Sequence, residues 1–136
     1  VNFLAPVLLA RAYLPLLEQH AEAAIVNVTS GVALWPRETA AMYCASKAAL
    51  HSFSKSLRWQ LEARGVRVFE VLPPMVATAM AGGRDQDAIS PARLADEFWD
   101  GFQSDRFEMP IGKVKLLHWL RRLPPSLTDR QMRVQR

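Results

Sequence analysis

Three observations predict an α/β fold built on a parallel sheet. Two short apolar runs rich in β-branched residues, Ala24–Thr29 and Val66–Leu72, each stop at turn-forming residues. A long stretch of good helix formers, Ala41 to Ala63, lies between them. Helical stretches also precede the first run and follow the second, so strands alternate with helices along the 136 residues. Parallel strands joined by helical crossovers and covered on both faces are the expected result.

Taken in order, Phe3 to Gln19 carries apolar blocks about one helical turn apart, with Arg11 and Glu18 as its first charges. That pattern reads as a largely buried helix. The run Ala24–Thr29 reads as a buried strand, and Ser30-Gly31 opens a loop that contains Pro36. The helix from Ala41 has Gly65 just past its end as a stop. Val66 to Leu72 is the second strand, closed by Pro73-Pro74. Residues 79–89 hold Gly82-Gly83 and mixed charges and read as a loop or short helix. Ser90-Pro91 supplies a capping serine and a first-turn proline for a helix running to about Gln103. Phe107–Ile111 fits a short last strand, and the chain from Lys113 fits a helix broken at Pro124-Pro125. Three strands make a small sheet with one long unpaired edge.

Composition narrows the function classes. Half the residues are apolar and 22 % are charged, as in a globular domain. No apolar run reaches the roughly 18–20 residues of a membrane span. The best candidate, Phe3–Leu17, contains Arg11, Pro6 and Pro15 and has no basic region before it, so a secretory signal is not expected and a cytoplasmic location is. A single cysteine, Cys44, forbids an internal disulfide, and His20, His51 and His118 lack ligand spacing, so no metal site is expected. Residues 113–136 form a basic helical tail with seven Lys or Arg against one acid, Asp129. A helix packed on the domain with a solvated basic face explains the tail more simply than membrane or nucleic-acid binding.

The sharpest chemical feature is Tyr43-Cys44-Ala45-Ser46-Lys47. A tyrosine and a lysine four residues apart share one helix face. A phenol alone is a poor acid-base group at neutral pH, because its reference pKa is about 10. A lysine ammonium held beside it favours the phenolate. The pair also recurs by chance on many helices, so its surroundings decide. Ser30 lies 13 residues before Tyr43 at the carboxyl end of the first strand, and Leu72–Thr78 follows the carboxyl end of the second. Ligands of open parallel sheets bind at that rim. Of the neighbours, Cys44 reads as a small buried residue, His51 as a helix-interface residue and Trp59 as packing. Trp35 reads as packing too, although its loop leads to the tyrosine and could line a pocket.

On these residues the sequence resembles the short-chain dehydrogenase/reductase family. The matching features are Asn2 in Val-Asn-Phe-Leu, Ser30 in Ile-Val-Asn-Val-Thr-Ser-Gly, Tyr43 and Lys47 in Tyr-Cys-Ala-Ser-Lys, and the stretch Pro73–Thr78. The end of the chain, with Arg106-Phe107-Glu108 and Gly112–Leu117, is similar to the DltE-like branch. The resemblance implies the second half of a doubly wound, Rossmann-like parallel-sheet domain, with the amino-terminal strands missing and residues 1–136 forming the catalytic half.

The resemblance also implies roles. Tyr43 would be the general acid-base, Lys47 its tuning group and a ligand of the nicotinamide ribose, and Ser30 the donor to the substrate oxygen. Asn2 would hold a water in the proton relay. Pro73, the Val76 backbone and the Thr78 hydroxyl would meet the nicotinamide carboxamide. The cofactor would be NAD or NADP, the substrate a small carbonyl or alcohol, and the intact protein a homodimer or tetramer. Two departures stand out. Pro73-Pro74 replaces the family's Pro-Gly, and none of the six glycines forms the phosphate-binding Gly-x-Gly-x-x-Gly turn. The chain also starts at Val1 inside an expected helix. A truncated and inactive catalytic half is therefore expected, against the alternatives of a catalytically silent binding relative or a membrane-surface accessory protein.

Overall fold

The computed structural model of the chain describes residues 1–78 and 88–120. In order, the elements are α1 (Leu4–Leu17), β1 (Ala24–Val28), α2 (Ala41–Leu61), β2 (Arg67–Leu72), α3 (Pro91–Gln103), β3 (Glu108–Pro110) and α4 (Val114–Leu120). The strands form one parallel sheet in the order β1-β2-β3. Ala24 pairs with Arg67 and Val28 with Val71, which brings the carboxyl ends of β1 and β2 to one rim.

Local chemistry sets the boundaries. After α2, a single 3₁₀ turn, Glu62–Arg64, leads into Gly65. With φ +72° this glycine takes the left-handed conformation that ends a helix without a Cβ penalty. Ser90 caps α3 by accepting from the Arg93 N–H, with Pro91 in the first turn.

Side chains alternate across β2, so the central strand feeds two cores. Val68 packs with Ala10, Leu57 and Leu61 under α1 and α2. Phe69 and Val71 pack with Met109 and Ile111 under Leu94, Phe98 and Phe102 of α3. Each such fully buried side chain stabilises the fold by roughly 1.5–3 kcal/mol. Burial on both faces explains why Val66–Leu72 is apolar almost throughout.

Three expectations need correction. The helix at Phe3–Gln19 is not largely buried: Leu4, Leu8, Leu9, Tyr13 and Leu16 are exposed, and only Ala10 is fully covered. Low charge density there marks a face with no cover among the described residues, not a core. The first strand is likewise buried on one face alone, since Val26 and Val28 are 40 % and 52 % exposed. α3 covers the second face of the sheet over β2 and β3 and does not extend across β1. Trp59 stands on the surface with the Lys55 ammonium over its ring, so it is not a packing residue. The expected loop at 79–89 falls mostly outside the described residues, as does the tail beyond Leu120.

Candidate active site

The carboxyl end of β1 runs into a sharp turn. Thr29 completes the ladder by donating its N–H to the Val71 carbonyl, and the Gly31 N–H donates to the Pro73 carbonyl. These two bonds fix Ser30 at the rim. Its side chain accepts from the Val32 N–H at 3.4 Å and starts the 3₁₀ turn Gly31–Ala33. The loop then returns to α2, where the Arg37 N–H donates to the buried Cys44 sulfur at 3.2 Å. Cys44 thus anchors the loop, as a small buried residue would.

Tyr43 and Lys47 lie in the first two turns of α2 and face this rim. The Lys47 ammonium donates to the Val28 carbonyl at 2.9 Å and lies 5.8 Å from the centre of the Tyr43 ring. Partial burial holds the Lys47 pKa below its ordinary value. The Tyr43 side chain is open to solvent, at 43 % exposure. A cleft of about 380 Å³ opens in front of these groups. Ser30, Tyr43, Lys47, Pro73, Val76 and Thr78 all line it, so six of the seven expected residues converge. The seventh, Asn2, lines a neighbouring cleft of about 530 Å³. Lys47 borders both, so Asn2 sits on its far side.

The segment after β2 presents backbone to the cleft. Ile89 donates to the Met75 carbonyl and accepts from the Ala77 N–H, forming a parallel bridge with Val76. In such a bridge the N–H and C=O of Val76 itself point away from Ile89. The Pro73-Pro74 departure does not collapse this arrangement. The Pro73 carbonyl is used by Gly31, and Pro74 packs near Gly112, whose φ is +53°.

Two parts of the site escaped sequence reasoning. The first is α4. Val114 and Leu117 close one side of the cleft, and the indole N–H of buried Trp35 donates to the Leu117 carbonyl at 3.0 Å. The start of the basic tail is therefore a wall of the site. Gly31 permits this closeness, since a Cβ there would lie 2.8 Å from a Val114 methyl group. Glu97 of α3 secures α4 through Lys115 at 2.7 Å, and Arg93 pairs with the same carboxylate at 3.1 Å within α3. The second part is Glu70, an acid in the middle of β2 with 0 % exposure. It hydrogen-bonds His51 and accepts from the Thr29 hydroxyl directly beneath the cleft. The available signal was a lone carboxylate inside an apolar strand, since such a group needs a partner. Among the described residues no cluster of His, Cys, Asp or Glu could hold a metal ion, and no helix is long and apolar enough to cross a membrane.

Chemically, the cleft offers a phenol, an ammonium and a hydroxyl on one rim, with a largely apolar opposite wall. The family model described as short chain dehydrogenase matches residues 1–89. The chain is 39 % identical over 141 residues to "Uncharacterized oxidoreductase DltE" of Bacillus subtilis, covering 99 % of this chain and 56 % of that protein. It is 34 % identical over 97 residues to 17-beta-hydroxysteroid dehydrogenase type 3 of Homo sapiens, covering 71 % of this chain and 31 % of that one. Among solved structures, a short chain dehydrogenase of Burkholderia cenocepacia in complex with NADP superimposes with a TM-score of 0.90 at 24 % identity, over 97 % of this chain and 56 % of that one. A short-chain dehydrogenase of Sphingobium yanoikuyae in complex with NADPH gives 0.71 at 30 % identity, over 81 % and 44 %. The chain spans about half the length of the relatives that it matches over nearly all of its own length.

Proposed function

Since the chain belongs to the short-chain dehydrogenase family, we propose that the intact protein carrying it is an NAD(P)-dependent oxidoreductase acting on a carbonyl or alcohol. The observation that carries this reading is the convergence of Ser30, Tyr43 and Lys47 on one cleft at the carboxyl ends of β1 and β2. The residues present fit the nicotinamide end of such a cofactor. Lys47 and Thr78 supply polar side chains there, and Val76 supplies outward-facing backbone. A bound nicotinamide cofactor would exchange hydride with the substrate carbon.

The chain's own residues do the rest. The Tyr43 phenol gives a proton to the substrate oxygen in reduction and takes it back in oxidation. The Lys47 ammonium, held on the Val28 carbonyl, stands beside the phenol ring. The Ser30 hydroxyl donates to the same substrate oxygen and offsets the charge that develops on it. Asn2, on the far side of Lys47, holds a water that resupplies the proton. Trp35, Val114 and Leu117 enclose the apolar body of the substrate and exclude water. An oligomer formed through the exposed leucines of α1 and a cytoplasmic location accompany this reading.

Tyr43→Phe in the intact enzyme tests it. The change keeps the ring and removes the proton carrier, so turnover should fall by about 10²–10⁴. Thermal stability should stay near wild type, because the phenol is exposed. Turnover within a few-fold of wild type defeats the mechanism.

A further inference from the structure

Glu70 poses a problem that stability does not solve. A carboxylate with no exposure is costly to bury, and an apolar residue of similar size would fill the same space at no such cost. What the carboxylate adds is direction. Its Oε2 hydrogen-bonds His51 Nδ1 at 2.8 Å, Oε1 lies 3.0 Å from the same nitrogen, and Oε1 accepts from the Thr29 hydroxyl at 2.6 Å. The Thr29 hydroxyl has one proton to give, and the Val71 carbonyl lies further off at 3.2 Å. One side chain on β2 therefore ties two other elements. Thr29 immediately precedes Ser30, and His51 follows Lys47 by one helical turn.

The tie belongs to a series along α2. Positions 54, 51, 47 and 43 fall on one stripe of the helix, at spacings of three and four. Ser54 accepts from the Asn27 amide at 3.0 Å, His51 meets Glu70, and Lys47 meets the Val28 carbonyl at 2.9 Å. Tyr43 comes next and faces the open cleft. The first two ties meet the sheet at one level, since Asn27 and Glu70 are register partners, and the Lys47 tie lies one residue further along β1. The middle one alone also holds the side chain next to Ser30.

From this we infer that Thr29, Glu70 and His51 form a clamp that positions Ser30 against the Tyr43–Lys47 helix. The clamp rests on the dehydrogenase reading for its purpose and on its own hydrogen bonds for its existence. Glu70 and His51 lie outside the cleft lining and buried Thr29 borders it only beside Ser30, so the clamp acts through the placement of the residues that face the cleft. Small misplacements at a reacting centre are expensive, about 10² in rate for roughly 1 Å.

The test uses the intact enzyme and the variants Thr29→Val, Thr29→Ser and Glu70→Gln, with Tyr43→Phe alongside. Thr29→Val removes the hydroxyl at nearly constant shape. It should lower kcat by about tenfold or more with little change in KM, and it should shift the backbone amide resonances of Ser30 and Tyr43. Thr29→Ser restores the donor and should bring kcat back to within a few-fold. Glu70→Gln should follow Thr29→Val, and should it fail to fold, the two Thr29 variants decide alone. Unchanged kcat and unmoved amides in Thr29→Val overturn the clamp, as does Thr29→Ser behaving like Thr29→Val. Turnover indifferent to Tyr43 defeats the dehydrogenase reading instead. The clamp then stands if the Ser30 and Tyr43 amides move together and falls if they do not.

Discussion

The two faces of β1 are inverted relative to ordinary strand chemistry. The face toward α2 buries polar residues, Asn27 and Thr29, each hydrogen-bonded to a partner inside the protein. The opposite face presents Val26 and Val28 to solvent. Water would favour the reverse arrangement. The polar face is explained by position, since its hydrogen bonds fix the height of α2 along the strand. The apolar face has no cover among the described residues, and the solved relatives that match nearly the whole chain are close to twice its length.

The widest gap between the two faces should be seen by comparing residues 1–136 alone with the intact protein. Ser30, Tyr43 and Lys47 share one cleft in this chain, but its sequence holds no Gly-x-Gly-x-x-Gly turn. Backbone N–H groups at such a turn and the following helix supply most of the grip on a cofactor's phosphates. The chain alone should therefore show no NADH or NADPH binding in a fluorescence titration in which the intact protein binds. Micromolar binding by monodisperse chain would place the cofactor on the residues present here.

A smaller effect separates the faces directly. Asn27→Leu keeps the approximate shape of the inner face but leaves the Ser54 hydroxyl without the Asn27 donor. The loss should be about 1–3 kcal/mol in denaturant unfolding. On the outer face, Val26→Thr adds a hydroxyl where water already reaches. Its cost in the chain alone should stay within about 0.5 kcal/mol, in line with surface substitutions elsewhere. In the intact protein the same change should cost more if that face becomes covered. Equal and small losses in both would mean that Val26 stays exposed.

Sequence captured what is local. Ser30, Tyr43 and Lys47 come from one strand–loop–helix unit, so their spacing along the chain nearly determines their arrangement in space. The Ser90-Pro91 start of α3 and the Gly65 stop after α2 were legible for the same reason, since each is a property of a few adjacent residues. Contacts across long separations were not legible. Trp35 and Leu117 meet across 82 residues, and Thr29 and Glu70 across 41. The helix α1 misled in another way. Its run of leucines has the periodicity of a buried helix, and periodicity alone does not distinguish a covered face from one still to be covered. Site roles remain expectations from resemblance, carried by six residues on one cleft and by Asn2 beside it.

Gly31 has a consequence for variation. The distance between the end of β1 and α4 depends on the methyl group that this position lacks, because a Cβ would press on Val114 at 2.8 Å. Pocket depth is therefore encoded at a single codon next to Ser30. Replacement by a larger residue would force the Val114 side chain or its helix to give way, while leaving the sequence of the reacting groups untouched. A mutant library that varies the depth of this cleft has a natural starting point in this glycine and the valine that it faces.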